Sequence, residues 1–296
     1  MAKSVNKDKI SMDKIFAYKP FKQLDMTLEE KEKWKDICKE IYFKEAECAA
    51  LPADQCSYSG FYHNYLTRDE QTNEIVLRAR MCEKGKLHSN YLIQQFANTK
   101  LSLSLLNDDK TFSVQPDEQK INNFLLNTIK TNEIVGFYFF GDVGIGKTHK
   151  MISYCNDMIV KNDRTVAYVF LPEMVRQMRE NFSSTNNANK ELIDKCCAAD
   201  ILILDDFGAE YTSPWFYLNF LLIILNYRCE TEKPIIFVSN FNFEKMTKLL
   251  ESRMKNIEKG AIDKDFQEMM VKRLISRLKQ LINNKCATYK TKSRRK

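Results

Sequence analysis

The sequence predicts an α/β fold in which a parallel sheet is flanked by helices. In the second half of the chain, short apolar segments alternate with longer segments of helical periodicity, a pattern typical of repeated βαβ units. Residues 201–204 are apolar at every position, which indicates a strand that is buried on both faces of a sheet. The predicted strands are residues 133–140, 165–171, 201–204 and 234–239.

Each strand is bounded by a local signal. A glycine-rich turn follows the first strand and leads into a helix that begins at Lys147. Pro172 suits the first position of the helix after the second strand, and Pro234 suits the first position of the fourth strand. Between the third and fourth strands, Pro214 starts an apolar helix that we predict to run to Tyr227.

The composition is that of a globular chain of 296 residues, because 44% of the residues are hydrophobic and 29% are charged. No apolar run reaches the ~18–20 residues that a bilayer span requires. The lysine-rich start has no apolar segment behind it, so we expect no secretory leader, no membrane partner and a cytoplasmic location. Nine cysteines, an odd number, argue against a disulfide framework in such a protein.

A helix is predicted over residues 27–47, because Thr27 and Glu30 fit a capping box and apolar residues follow at helical spacing. From residue 48 to 86 the pattern becomes irregular, and only residues 75–77 predict a short strand. We expect an N-terminal domain at residues 1–86 and a connector at 87–117. An α/β domain then follows at 118–283 and a basic tail at 284–296.

The net charge of +7 is concentrated at the end of the chain. Six cations and no acid lie in the last 12 residues, so the other 284 residues carry a net charge of only +1 (7 minus 6). The charge therefore indicates a basic tail rather than a uniformly basic DNA-binding body. Such a tail is equally compatible with a solvated end that binds nothing. The six cations are Lys285, Lys290, Lys292, Arg294, Arg295 and Lys296.

The strongest motif is Gly-Asp-Val-Gly-Ile-Gly-Lys-Thr at residues 141–148, which matches the P-loop pattern G-x-x-x-x-G-K-[ST] between a strand and a helix. In such a loop, backbone N–H groups and the helix N-terminus surround an anionic phosphate. Lys147 is then expected to reach the β- and γ-phosphates of ATP, and the Thr148 hydroxyl to bind Mg²⁺. The predicted nucleotide-binding residues are Gly141, Asp142, Val143, Gly144, Ile145, Gly146, Lys147, Thr148 and His149.

Carboxylates and an amide follow two other strands. Asp205 and Asp206 end the strand at 201–204, where Asp205 is expected to hold Mg²⁺ and Asp206 to polarise the attacking water. Asn240 follows the fourth strand and is expected to orient that water. The alternatives are a solvated acidic turn for the aspartates and a simple turn-forming asparagine for Asn240. The chain has no N-K-x-D element that would favour guanine.

Two arginines share one side of a predicted helix near the end of the chain. Arg273 and Arg277 are four residues apart, which places them on the same helix face. An arginine at this position can act across a subunit boundary as a finger that stabilises transition-state charge. The alternative is an ordinary solvated helix face.

These motifs, with Leu-Asp-Asp-Phe-Gly-Ala-Glu at 204–210, Asn-Tyr-Arg at 226–228, Ser-Asn-Phe at 239–241 and Arg-Leu-Ile-Ser-Arg-Leu at 273–278, resemble the bacterial replicative-helicase loaders of the DnaI/DnaC type. The resemblance covers about residues 90–283. It implies an AAA+ ATPase fold, self-assembly through AAA+ interfaces, and a DnaB-type helicase and single-stranded DNA as partners. It also implies that Asn240 is the sensor-1 residue and that Arg277 is the arginine finger.

The N-terminal third contains a candidate zinc set. Cys48, Cys56, His63 and Cys82 lie in a segment of irregular pattern, and three cysteines with one histidine form a common structural Zn²⁺ site. The substitutes for a member of this set are Cys38 and His88. The alternative is buried free cysteines with one surface histidine. The resemblance favours zinc, because the DnaI branch carries an N-terminal zinc-binding domain that contacts the helicase.

Three functions are compatible with this sequence. The first is an ATP-dependent helicase loader, in which Asp206, shorter than the glutamate of many AAA+ proteins, predicts slow, switch-like turnover. The second is a transposition-helper ATPase of the IstB type, against which the cysteine cluster argues. The third is a helicase-binding adaptor in which ATP is only structural. The combination of Lys147, Asp205, Asn240 and Arg277 argues against the third.

Overall fold

The fold is taken from a computed structural model that describes residues 10–51, 62–95, 106, 116–180, 187–210, 214–255, 264–283 and 285–289. The chain divides into two compact units, Met1–His88 and Ser89–Lys296. The domain boundaries predicted from the sequence differ from these and stay a prediction.

The first unit combines helices with a two-stranded hairpin. The long helix α3 begins after Thr27, whose side chain accepts from the Glu30 N–H while the Glu30 carboxylate accepts from the Thr27 N–H, so the predicted capping box is confirmed. Apolar residues that include Ile15, Phe21 and Ile41 form its core. The elements of this part are α1 (Met12–Phe16), α2 (Lys19–Lys22), α3 (Leu28–Ala50), β1 (Tyr62–Arg68), β2 (Ile75–Met81) and α4 (Glu83–Asn90).

The short strand predicted at 75–77 is confirmed as part of β2, whereas β1 lies in a stretch where no strand was predicted. Strands β1 and β2 pair antiparallel, with Arg68 opposite Ile75. The turn between them is held by Asp69, whose carboxylate accepts the N–H groups of Gln71 and Thr72, and by Asn73 at φ 57°. This turn uses side-chain hydrogen bonds rather than glycine, so its sequence carries a weak signal.

The second unit is built on a six-stranded sheet in the order β3-β5-β6-β7-β4-β8, in which every pairing is parallel. The predicted α/β class is thus confirmed. Its strands are β3 (Tyr91–Gln94), β4 (Phe137–Gly141), β5 (Val166–Phe170), β6 (Ile201–Asp205), β7 (Ile235–Ser239) and β8 (Cys286–Tyr289). Its helices are α5 (Pro116–Thr131), α6 (Lys147–Asn162), α7 (Leu171–Glu180), α8 (Ala188–Ala198), α9 (Pro214–Phe216), α10 (Leu222–Glu230), α11 (Phe243–Lys255) and α12 (Lys264–Ile282).

Both edges of the sheet come from segments in which no strand was predicted. β3 lies in the stretch interpreted as a connector, and β8 in the stretch interpreted as a basic tail. Among the strands that the structure describes, β3 pairs with β5 alone and β8 with β4 alone. A strand of four residues with mixed polarity forms because it pairs with an exposed strand of an existing sheet. Its own sequence pattern therefore gives only a weak prediction of a strand.

The four strands predicted from the sequence are present with shifted ends. The first begins at Phe137 rather than at residue 133, and the helix from Pro214 continues to Glu230 through a π-helical turn at Tyr217–Leu221. The central strands β6 and β7 are buried along their whole length. No helix in the described part of the chain is long and apolar enough to span a bilayer.

We predict that Ile203→Ala in β6 lowers the free energy of unfolding by about 2–5 kcal/mol, because the Ile203 side chain is fully buried and its removal leaves a cavity. Urea denaturation followed by tryptophan fluorescence measures this. A Trp34→Phe background leaves Trp215 of the second unit as the reporter, because the chain contains 2 tryptophans.

The matched control is Ile223→Ala, which removes the same atoms from a side chain that is 47% exposed on α10. It should change the free energy of unfolding by less than about 0.5 kcal/mol. Equal effects of the two substitutions would contradict the assignment of β6 to the core.

Candidate nucleotide-binding site

The loop between β4 and α6 has the backbone of an anion-binding turn. Gly144 has φ 81° and Gly146 has φ 96°, in the left-handed region that glycine adopts without strain. Gly146 is also the N-cap of α6, so the N–H groups of the first helical turn face the loop. Ile145, between the two glycines, is buried and anchors the loop to the domain.

The Lys147 ammonium lies inside this loop. Its Nζ donates to the carbonyl oxygens of Gly141 (2.9 Å) and Asp142 (2.8 Å) and to Oδ1 of Asn240 (2.8 Å). Only 8% of the residue is exposed. These three acceptors are neutral oxygens, and a cation binds an anionic oxygen more strongly, so the ammonium is well placed to exchange one of them for a phosphate oxygen.

Thr148 and Asp205 are brought into direct contact across the sheet edge. The Thr148 hydroxyl donates to Oδ2 of Asp205 at 2.8 Å, and the Tyr168 hydroxyl donates to the same oxygen at 2.7 Å. Burial raises the pKa of the Asp205 carboxyl, while the hydrogen bonds from Tyr168 and Thr148 oppose that shift. Hydroxyl and carboxylate oxygens at this distance suit Mg²⁺, which binds to few protein ligands and keeps several waters.

Asp206 and Asn240 form the other side of the site. The Asp206 N–H donates to the carboxylate of Asp205 at 2.8 Å, and Asp206 itself has φ 57°. The Asn240 amide nitrogen donates to the Asp206 carboxylate at 2.9 Å, while its oxygen accepts from Lys147. The structure therefore brings Lys147, Asn240 and Asp206 together in one hydrogen-bonded chain.

Two further residues predicted for the site lie on helices α6 and α12. His149 is half-buried on α6, directly after Thr148. Arg277 lies on α12, where its guanidinium donates to the side-chain oxygens of Asn226 (3.2 Å) and Gln280 (2.9 Å). Its predicted role concerns a neighbouring protomer and stays a prediction.

Tyr168 is a site residue that was not predicted from the sequence. It reaches Asp205 only because strand β5 lies beside strand β6, and the sequence pattern does not indicate that pairing.

The zinc set is only partly described. Cys48 is buried, and Cys82 accepts a hydrogen bond from the Gly85 N–H, but Cys56 lies outside the described residues. Within the described ranges, no three His, Cys, Asp or Glu residues are grouped so that they could hold a metal ion. The zinc set therefore stays a prediction.

Strand order and site together define a P-loop α/β fold with a candidate nucleotide-binding site. A family model, the bacterial DnaA ATPase domain, matches residues 120–263. The chain is similar to the replicative-helicase loaders DnaI and DnaC, which confirms the resemblance drawn from the sequence. It is 27% identical over 124 residues to the replicative helicase loader DnaI of Bacillus subtilis, and 26% identical over 121 residues to DnaC of Escherichia coli K12.

These matches cover part of each protein. They include 42% of this chain and 39% of DnaI, and 41% of this chain and 49% of DnaC. A crystal structure of DnaI superimposes with a TM-score of 0.51 at 21% identity, covering 65% of this chain and 94% of that one. The structural likeness supports the shared fold, while the sequence matches span less than half of the length of either loader.

We predict that Lys147→Ala weakens the binding of ATP about 10- to 100-fold, because charge-assisted hydrogen bonds contribute about 1.5–3 kcal/mol each. Titration of a fluorescent ATP analogue in the presence of Mg²⁺ measures the affinity. Lys195→Ala, which removes an exposed lysine on α8, is the control and should bind as the wild type does. Unchanged affinity of the Lys147→Ala protein would contradict the assignment of this loop to a triphosphate.

Proposed function

We propose that this protein is an ATP-dependent loader that places a DnaB-type replicative helicase on single-stranded DNA. The observation that carries the proposal is the hydrogen-bonded chain from Lys147 through Asn240 to Asp206, beside the Thr148–Asp205 pair. A site that only held a nucleotide would not need an amide between the phosphate-binding lysine and a second carboxylate. The similarity to DnaI and DnaC supports helicase loading as the use of this site.

In this proposal the loop at 141–148 holds the triphosphate. Lys147 gives up carbonyl partners for the β- and γ-phosphate oxygens, and the N–H groups at the start of α6 donate to the same charge. Thr148 and Asp205 hold Mg²⁺, directly or through its waters. The metal, when bound, neutralises charge that develops on the phosphate oxygens.

Asp206 and Asn240 act on the attacking water. The Asp206 carboxylate accepts a proton from the water, and Asn240 keeps that carboxylate oriented through its 2.9 Å hydrogen bond. Asn240 also contacts Lys147, so its position depends on whether the lysine is engaged by phosphate. This coupling supports a slow switch that reports the nucleotide state, rather than a fast motor.

Self-assembly completes the proposed cycle. Arg277 lies on α12, and its guanidinium donates to two side chains of its own chain, Asn226 and Gln280. Both are neutral amides, so the guanidinium can leave them for the phosphate of a neighbouring protomer without breaking an ion pair. The arginine finger of the proposal is therefore Arg277, acting in trans.

The first unit is assigned the contact with the helicase. It has its own core around Ile15, Phe21 and Ile41, so it can serve as a separate recognition module. Zinc at Cys48, Cys56, His63 and Cys82 is part of this proposal. Binding of single-stranded DNA is assigned to the ATPase unit and to the basic tail. Most of that tail lies outside the described residues. Because lysine and arginine contacts to phosphates are involved, the DNA affinity should fall steeply as the salt concentration rises.

Two alternative functions predict different behaviour of the protein. A transposition helper of the IstB type would share the ATPase site but would not bind a replicative helicase through residues 1–88. An adaptor with a structural nucleotide would bind ATP without hydrolysing it. The arrangement of Asp206 and Asn240 favours hydrolysis over the adaptor.

We predict that the full chain copurifies with the replicative helicase of the same organism in the presence of ATP, and that residues 89–296 alone do not. The reason is that the proposed recognition module lies in the first unit. Affinity capture followed by size-exclusion chromatography measures the complex.

The control is ATP binding by the truncated chain, which should equal that of the full chain and shows that the ATPase unit remains folded. Equal capture of helicase by both chains would remove the recognition role of the first unit. Absence of helicase from both would favour the transposition helper.

We predict one zinc ion per chain, lost on substitution of Cys82→Ser, because removal of one thiolate from a four-ligand site opens it to solvent. Elemental analysis of the purified protein measures the metal content. Cys286→Ser, at an exposed cysteine of the second unit, is the control and should leave the content unchanged. A metal-free wild-type protein would contradict the zinc assignment.

A further inference from the structure

A second polar network lies beyond the acidic pair, at the other end of the same turn. The Glu210 carboxylate accepts from the Gly208 N–H at 2.6 Å and from the Tyr217 hydroxyl at 2.7 Å. Arg253 of α11 donates to the same carboxylate at 3.1 Å, to the Tyr217 oxygen at 2.6 Å, and to the carbonyl oxygen of Gly208 at 2.9 Å. One arginine and one glutamate thus hold both backbone polar groups of Gly208.

The network is buried and specific. Glu210 is 0% exposed, and the Arg253 side chain is 22% exposed. Burial raises the pKa of Glu210, and the donors Tyr217, Arg253 and Gly208 oppose that shift. A buried ion pair is weak evidence of stabilisation by itself, because desolvation offsets the attraction between the charges. Its geometry, however, can define the conformation of the backbone that it holds.

That backbone is the turn that carries Asp206. Asp206 has φ 57° and Gly208 has φ 98°, so two of three consecutive residues are left-handed. A Cβ at Gly208 would lie 2.7 Å from the Met246 sulfur, so only a glycine allows the turn to pack this closely against α11. A non-glycine residue in this conformation costs about 1–3 kcal/mol and persists only where its surroundings hold it.

The turn is clamped from two sides. On the strand side, the Phe207 N–H donates to the Val238 carbonyl at 2.8 Å, and the Ser239 hydroxyl donates to the Phe207 carbonyl at 2.6 Å. On the helix side, Glu210 and Arg253 hold Gly208. The π-helical turn that begins at Tyr217 directs a third partner to the same carboxylate.

We infer that Glu210 and Arg253 are positioning residues for hydrolysis, which hold the turn at 205–210 so that Asp206 faces Asn240. This inference rests on the proposed ATPase activity and deepens it. Neither residue contacts the P-loop in the hydrogen bonds described for it, so their effect acts on the hydrolysis step and not on nucleotide affinity. They are positioning residues and not catalytic ones.

The first variant is Glu210→Gln, which keeps the size of the side chain. Every partner of the carboxylate is a donor, so an amide cannot satisfy the backbone and the Arg253–Tyr217 pair at once. We expect the single-turnover rate of ATP hydrolysis to fall by about tenfold or more, as for a small displacement of a reacting group. The dissociation constant of the fluorescent ATP analogue should stay within about twofold of wild type.

The matched control is Glu244→Gln, which removes the charge from an exposed ion pair, Glu244–Lys248, on the same helix as Arg253. It should leave both rate and affinity unchanged. A purely structural role of Glu210 predicts a different pattern, in which affinity and rate fall together as the folded fraction falls.

The second variant is Arg253→Lys, which tests the inference even if the Glu210→Gln protein does not fold. We expect it to fold, because Arg253 is partly exposed and lysine keeps the positive charge and the aliphatic part of the side chain. Lysine cannot donate to Glu210, Tyr217 and Gly208 in the fork geometry of arginine. A lowered hydrolysis rate at unchanged affinity supports the inference, whereas a wild-type rate, or equal losses of rate and affinity, overturns it. Absence of hydrolysis by the wild-type protein would refute the proposed activity itself and is distinguishable from these outcomes.

Discussion

The site depends on the buried carboxylate of Asp205. It accepts hydrogen bonds from Thr148 on α6, from Tyr168 on β5 and from the Asp206 N–H. A carboxylate that is 3% exposed must be satisfied by donors or by a cation, so its partners cannot move independently. The P-loop helix, the neighbouring strand and the acidic turn are therefore held in one arrangement by a single side chain.

The parallel order of the sheet explains why these groups meet. β7 lies between β6 and β4, and all three strands end at the same edge. The P-loop after β4, the aspartates after β6 and Asn240 after β7 are far apart in sequence but adjacent in space. This is the crevice at the carboxyl ends of the strands, where open α/β sheets bind ligands.

Polar clusters hold both ends of the β6–β7 pair. At the amino ends, the buried Arg228 donates to the carbonyl oxygens of Ala199 (2.8 Å), Asp200 (3.1 Å) and Pro234 (2.7 Å), and burial lowers its pKa to about 10. At the carboxyl ends, the Ser239 hydroxyl donates to the Phe207 carbonyl. The sheet beneath the site is thus fixed by hydrogen bonds as well as by apolar packing, which suits a site whose geometry must be reproducible.

The sequence by itself determined the central strands, the P-loop, the acidic pair, Asn240 and the capping box at Thr27, because each is encoded in a contiguous segment whose chemistry is local. Tertiary structure decided what depends on strand order and long-range contact. Tyr168 reaches Asp205 only because β5 lies beside β6, and Arg253 meets Glu210 across 43 positions of sequence. The edge strands β3 and β8 likewise exist because the sheet offers unpaired N–H and C=O groups, which no short segment can specify alone.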